Sequence, residues 1–288
     1  MRTIRNIGKS VREKLLNISK CENYDYQKLL IRYLHERFIY RMSISSYRSN
    51  FMLKGGSLLY AYNGLKNRPT KDIDFLAEQI SNDQENLKHV VAEISQIPCK
   101  EDGVAFVPST ITAEPITEES RYQGTRISIT GLLDTIVQTI TFDIGFGDII
   151  VPAPVELDYP IFLDTTPPIS ICAYSLETVI AEKFQTMIER DTENSRMKDF
   201  FDCYQLLKYK QDLIDNDVLG DAIKATLENR GTHVPKELKL FMEDFALDEK
   251  RTKMWKSYLK RIKWPEEILF VNVMKVIKEN LQRFVIPH

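Results

Sequence analysis

A Gly-Gly-Ser turn set between an apolar tripeptide and a helical run, with an Asp-x-Asp strand close behind, constrains this chain more than any other feature. Leu53 ends a short apolar run, and Gly55-Gly56 then lets the backbone turn tightly. Ser57 is placed to cap a helix running from Leu58 to Leu65, whose free backbone N–H groups favour an anion such as a triphosphate. Asp72-Ile-Asp74-Phe75 then gives a strand on which the two carboxylates share one side while Ile73 faces the core. Hard oxygens paired this way suit Mg²⁺. A phosphate cradle and a metal clamp are thereby joined through about one helix of chain.

The rest of the sequence sorts into two regions. Apolar spacing predicts amphipathic helices over 3–20 and 25–41, the second carried by Leu29, Leu30, Tyr33, Leu34 and Phe38. Ser81-Asn-Asp-Gln84 has capping-box spacing and opens a helix running to about Ile97, before Pro98. From Val104 to Ile150 the pattern turns to β-branched alternation, as in Thr125-Arg-Ile-Ser-Ile-Thr130, which predicts several antiparallel strands. Five prolines between Val151 and Pro168 exclude regular helix and mark a connection; beyond Ser175 nearly everything reads as helix. The expected class is α+β, with a mixed sheet flanked by helices over 1–168 and a mainly helical lobe over 169–288.

Charge is segregated. Residues 1–54 carry twelve Lys or Arg against four Asp or Glu, whereas residues 72–168 carry four against seventeen. The run from Lys250 to Lys263 adds Lys250, Arg251, Lys253, Lys256, Lys260, Arg261 and Lys263 without one acid, with Trp255 and Tyr258 interleaved. Basic residues beside aromatics fit a track for a nucleic-acid backbone; a solvated helix with Met254, Trp255, Leu259 and Ile262 packed inward fits the same pattern. No apolar leader opens the chain and no apolar run reaches membrane-spanning length, so a cytoplasmic location without a membrane partner is expected. Cys21, Cys99, Cys172 and Cys203 lack metal or disulfide spacing and are expected in or near the core; the four His are isolated.

Several segments together resemble one family. Leu53-Lys-Gly-Gly-Ser57, Arg68-x-Thr70-Lys-Asp-Ile-Asp-Phe75, Phe142-Asp-Ile-Gly-Phe-Gly-Asp148, Ala181-Glu-Lys183 and Arg196-x-Lys-Asp-Phe-Phe-Asp202 closely resemble the AbiEii/MenT toxin nucleotidyltransferases of the polymerase-β-like superfamily, over residues 30–210. The resemblance implies the polymerase-β-like nucleotidyltransferase lobe and Mg²⁺-dependent transfer of a nucleotide from an NTP to the acceptor end of tRNA. It also implies a role in blocking translation within a toxin–antitoxin or abortive-infection (phage defence) system, and a separate antitoxin chain. It places Lys183 near the triphosphate, with Asp199 and Asp202 orienting it or binding nucleotide; a helix-to-helix ion pair with Arg190 or Arg196 is the structural alternative for these two acids.

The chemistry needs metal, polyphosphate neutralisation and an in-line hydroxyl, and three carboxylates normally meet it. Asp143, at the end of the strand Ile136–Phe142, is the expected third after Asp72 and Asp74, provided its strand lies beside that of Asp74; Asp148 is the competitor. Nucleotide contacts are expected from Lys54, Gly55, Gly56 and Ser57, the last either by binding phosphate or by capping its helix. Arg68 and the basic run are the expected RNA contacts. The same chemistry on a small molecule or a protein side chain is the alternative, as is a silent nucleotide-binding module.

Overall fold

The computed structural model describes residues 6–64, 68–116 and 124–285. Residues 3–5 of the first expected helix and Leu65 of the third lie outside them. The chain divides into two units, one of residues 1–147 with 155–173 and one of 148–154 with 174–288.

The first unit runs α1 (Ile7–Cys21), α2 (Tyr26–Ser43), β1 (Phe51–Lys54), α3 (Gly55–Asn63), β2 (Ile73–Ala77), α4 (Gln84–Ser95), β3 (Val104–Ile116), β4 (Gly124–Leu133), β5 (Ile136–Phe146), β6 (Val155–Tyr159) and β7 (Ile169–Ala173). Its seven strands form one mixed sheet in the order β3-β4-β5-β2-β1-β7-β6. β2 pairs parallel with β5 and β1 parallel with β7, while the other neighbours are antiparallel. Alternation along the strands sends Ile73, Phe75, Ile127, Phe142 and Ile144 to one face, all of them buried. Helix α2 contributes to that core through Phe38, whose ring stacks on Phe142 at 4.1 Å. The charged residues of the central strands are left to the opposite face.

Helix α2 also explains the charge segregation. Arg32, His35, Glu36, Arg37 and Arg41 are all buried along it. Arg41 meets Asp102 at 2.7 Å and donates through its two terminal nitrogens to the carbonyls of Arg37 and Val104, so its charge is paired. Arg12 meets Asp134 at 2.9 Å and Arg48 meets Glu156. The basic start of the chain is thus partly neutralised by the acidic sheet region, with Arg12, Arg41 and Arg48 serving as internal counter-charge. A buried pair of this kind is costly to break, about 3–5 kcal/mol when one partner is removed.

Helix α4 begins two residues later than its capping-box spacing suggests. Asp83 takes the cap, accepting from Asn86 N at 3.0 Å, while Ser81 Oγ accepts from Asp83 N in a preceding turn.

The second unit contains α5 (Leu176–Arg190), α6 (Met197–Tyr209), α7 (Asn216–Asn229), α8 (Glu243–Leu247), α9 (Glu249–Ile262) and α10 (Phe270–Leu281). Ser175 caps α5 and Asp215 caps α7. Aromatic packing closes the core: Phe201 meets Trp264 edge-on at 4.9 Å, and Trp255 lies 5.7 Å from Phe270. Trp255 is fully buried and donates to Ile268 O at 2.7 Å, and Tyr258 is buried beside it. The aromatics of the basic run are therefore core residues, and no base-stacking role is left to them. Among the described residues, no helix is long and apolar enough to cross a membrane. Of the cysteines only Cys203 is buried; Cys21, near the end of α1, is exposed, contrary to expectation.

Candidate active site

The turn from β1 into α3 is built against the Asp-x-Asp segment, of which Asp74 lies on β2 and Asp72, expected on the same strand, lies in the bend just before it. Gly55 has φ +63°, and a Cβ placed on it would lie 1.9 Å from Asp74 Oδ2. A Cβ on Gly56 would lie 2.8 Å from Thr70 Oγ1. Both glycines are required by close approach, and Gly55 by its left-handed backbone as well. Gly56 N donates to Asp74 Oδ2 at 3.3 Å, so an anion at the start of α3 is the Asp74 carboxylate itself. Ser57 does not cap the helix: α3 starts two residues before it, and its Oγ donates to Asp72 O at 3.3 Å. Thr70 Oγ1 donates to the backbone and side-chain oxygens of Asp72, both at 3.2 Å, fixing the approach to β2.

Strand register then aligns a row of charges across the sheet. Lys54 on β1 is the partner of Asp74 on β2, and Asp74 is the partner of Asp143 on β5. Arg126 on β4 is in turn the partner of Asp143, and Glu114 on β3 is the partner of Arg126. Neighbouring strands lie roughly 4.8 Å apart and residues of one cross-strand row share a face. Asp74 and Asp143 therefore stand side by side, with Asp72 two residues from Asp74. Their hard oxygens are of the chemistry that holds Mg²⁺. Among the described residues, however, no three acidic, His or Cys side chains are gathered into a ready-made metal cage. The Asp143 carboxylate is engaged by Arg126, with Nε at 2.7 Å from Oδ1 and Nη2 at 2.6 Å from Oδ2. The hydrogen bond and charge of Asp143, with Asp72 and Asp74 adding to them, push the guanidinium's pKa further up.

Asp148 is used differently. It belongs to the helical unit, where its Oδ1 pairs with Arg230 at 2.8 Å and its Oδ2 accepts from Tyr174 at 3.4 Å. In that unit Lys183 on α5 meets Asp199 at 3.1 Å and Asp202 at 2.7 Å on α6, and Arg196 reaches Asp199 at 2.9 Å. Burial alone would raise the Asp199 carboxyl, but Lys183, Arg196 and Lys198 together hold it below its ordinary value. Both acids thus contact Lys183 across the two helices, while the Arg196–Asp199 pair is local to the start of α6 rather than the helix-to-helix contact expected as the alternative.

Lys250, Lys253, Lys256, Lys260, Arg261 and Lys263 are exposed in and beside α9, and the Arg261 guanidinium lies over the Tyr258 ring at 5.5 Å. Arg251 differs: its guanidinium stacks on Phe245 at 3.9 Å and donates to Thr192 O, which makes it a packing residue. Arg68 lies beside the cradle, its Nη1 at 3.5 Å from where a Gly56 Cβ would be, and its carbonyl accepts from Arg32.

Sequence reasoning missed Arg126, Thr70 and His35. Arg126 stands in a strand that was legible, but its pairing with Asp143 depends on register between β4 and β5. Thr70 lies within the quoted motif, two residues ahead of Asp72. Buried His35 is lowered chiefly by its burial, and the opposing charge of Asp72 comes from far along the chain, where no local pattern reports it.

The sequence profile for "Nucleotidyl transferase AbiEii toxin, Type IV TA system" matches residues 37–268. No curated protein sequence matches the chain. Among solved structures, JHP933 from Helicobacter pylori is 15% identical with a TM-score of 0.54, over 90% of this chain and 95% of that one. A protein described as a candidate nucleotidyltransferase from H. pylori is 17% identical with a TM-score of 0.55, over 92% and 99%. At such identities these two report the α+β fold.

Proposed function

The chain belongs to the AbiEii nucleotidyl transferase toxin family, and we propose that it transfers a nucleoside monophosphate from an NTP to the 3′ end of tRNA, releasing pyrophosphate. The observation that carries this reading is the register pairing of Asp74 with Asp143 beside the Gly55-Gly56 turn. Asp72, Asp74 and Asp143 would hold Mg²⁺, which supplies charge neutralisation at the polyphosphate. The chain's own residues do the rest. Gly55 keeps open the space in which Asp74 approaches the start of α3. Thr70 and Ser57 fix the backbone at Asp72, so the first and second carboxylates keep their spacing. Lys54, in the same row, offers a cation to the nucleotide. Lys183, oriented by Asp199 and Asp202, is the helical unit's candidate for a phosphate contact.

The acceptor reading rests on the exposed basic residues of α9 from Lys250 to Arg261, with Lys263 just beyond, since several Lys and Arg neutralising phosphates supply most sequence-independent affinity. A type IV system implies a separate antitoxin, and translation block would follow from a tRNA whose acceptor end is occupied.

Purified protein incubated with labelled NTPs, Mg²⁺ and total RNA tests this directly. Label is expected in tRNA-sized RNA and is expected to vanish with Asp74→Asn. Label found in a small molecule or a protein, with none in RNA, would transfer the chemistry to another acceptor.

A further inference from the structure

The Arg126–Asp143 contact lies at the centre of the proposed site, yet the minimal chemistry gives it no task. The fork is complete: two nitrogens of one guanidinium meet the two oxygens of one carboxylate at 2.7 and 2.6 Å. Such bidentate pairs are among the stronger hydrogen-bonded contacts a carboxylate makes. They also occupy the side of the carboxylate that a cation would approach. The Asp143 side chain is 18% exposed whereas that of Arg126 is 47% exposed, so the cation can swing away while the acid stays on its strand.

A second acid stands ready for it. Glu114 on β3 is the register partner of Arg126 on the side away from Asp143, and it is exposed. Arg126 is thus flanked within one cross-strand row by two carboxylates, one in the central site and one on the outer strand.

We propose that Arg126 is a positioning residue that acts as the resident counter-cation of the carboxylate centre, holding Asp143 while the centre is metal-free and moving toward Glu114 when a divalent cation takes Asp143. The inference rests on Asp143 being a metal ligand. Its consequence is that metal binding must displace Arg126, which weakens the site's apparent affinity and protects its acids from unmatched charge. The contact is half exposed, so the competition is modest, on the order of a fivefold factor in affinity.

The test is Mn²⁺ binding to the full chain without nucleotide, followed by the EPR signal of the free ion. Arg126→Gln is expected to bind Mn²⁺ about fivefold more tightly than wild type, and Glu114→Gln about twofold more weakly. Unchanged or weaker binding by Arg126→Gln overturns the proposal. Asp143→Asn separates the two levels. If it leaves Mn²⁺ affinity unchanged, the ligand assignment of Asp143 fails and the proposal with it. If Asp143→Asn weakens binding while Arg126→Gln does not tighten it, only the role of Arg126 fails. A measurement on wild type covers the case in which Arg126→Gln does not fold. The ¹H–¹⁵N signal of Arg126 Nε, protected from exchange in the metal-free protein, is expected to lose that protection on Mg²⁺ saturation; a signal unmoved by Mg²⁺ overturns the proposal.

Discussion

Gly55 and Asp74 contend for one space: a Cβ on the glycine would lie 1.9 Å from the carboxylate's Oδ2. The requirement is double, because Gly55 also holds φ +63°, where an L-residue costs roughly 1–2 kcal/mol. Gly55→Ala is therefore expected to displace Asp74 as well as strain the turn. Transfer of labelled nucleotide should fall on the order of a hundredfold, as a misplaced catalytic group implies, while the melting temperature drops by only a few degrees. An alanine variant with wild-type transfer would show that the Asp74 position is not used.

Asp143 and Asp148 are five residues apart and belong to different units, so their substitutions should fail in different ways. Asp143→Asn keeps its strand and its size, and it is expected to abolish transfer with little change in unfolding free energy. Asp148→Asn removes the charge that Arg230 meets at 2.8 Å in a largely buried place. It is expected to cost on the order of 3 kcal/mol in urea unfolding while the folded fraction keeps its transfer rate. The reverse pattern would make Asp148 the third carboxylate.

Lys183 is held by two buried acids, so its removal is expected to be felt as instability before it is felt as chemistry. Lys183→Ala takes from Asp199 one of its cations, leaving Arg196 and Lys198 near it, and removes from Asp202 the cation that meets it at 2.7 Å. A loss of about 3–5 kcal/mol is expected on unfolding. Lys183→Ala combined with Asp202→Asn should recover part of that stability, because the unmatched charge is gone. If Lys183 also meets nucleotide phosphate, the double variant stays inactive although refolded; activity regained with stability would reduce Lys183 to a structural role.

What the sequence made legible and what it hid divide along local against register-dependent information. The Gly-Gly turn, helix and Asp-x-Asp order is local, and the fold carries it through α3 to β2, with Asp74 on the strand and Asp72 just ahead of it. That Asp143 stands beside Asp74 was conditional on which strands are neighbours, a fact fixed by pairing across 69 positions of chain. Arg126 was invisible for the same reason. Ser57 misled because a serine ahead of a helical run usually caps it, but here the two glycines are themselves the first turn. Trp255 and Tyr258 misled because one amphipathic pattern serves both a stacking surface and a core; α9 turns its lysines outward and these rings inward. The burial of Arg32, Arg37 and Arg41 was hidden because composition reports charge and says nothing of burial.

His35 and Glu36 are neighbours on α2 with opposite pH signatures, and substituting the histidine should expose the acid. Burial lowers His35 from its ordinary 6.5 to about 4, against Asp72, which raises it, and with Arg32, which lowers it further. Between those values the unfolded chain holds a proton that the folded one does not, so this group makes stability rise with pH from about 4 to 6.5. Burial raises Glu36 from 4.5 to about 7, with Arg37 beside it opposing the shift. There the folded chain holds the extra proton, so stability falls as pH rises from 4.5 to about 7. Over the shared window the two slopes oppose each other, and wild type is expected to show little net change from this pair. His35→Gln removes only the first. Urea unfolding in EDTA should then show stability falling between pH 4.5 and 6.5 by an amount on the order of 2–3 kcal/mol relative to the wild-type profile. A His35→Gln profile parallel to wild type would mean that the imidazole titrates in the folded protein as it does in water.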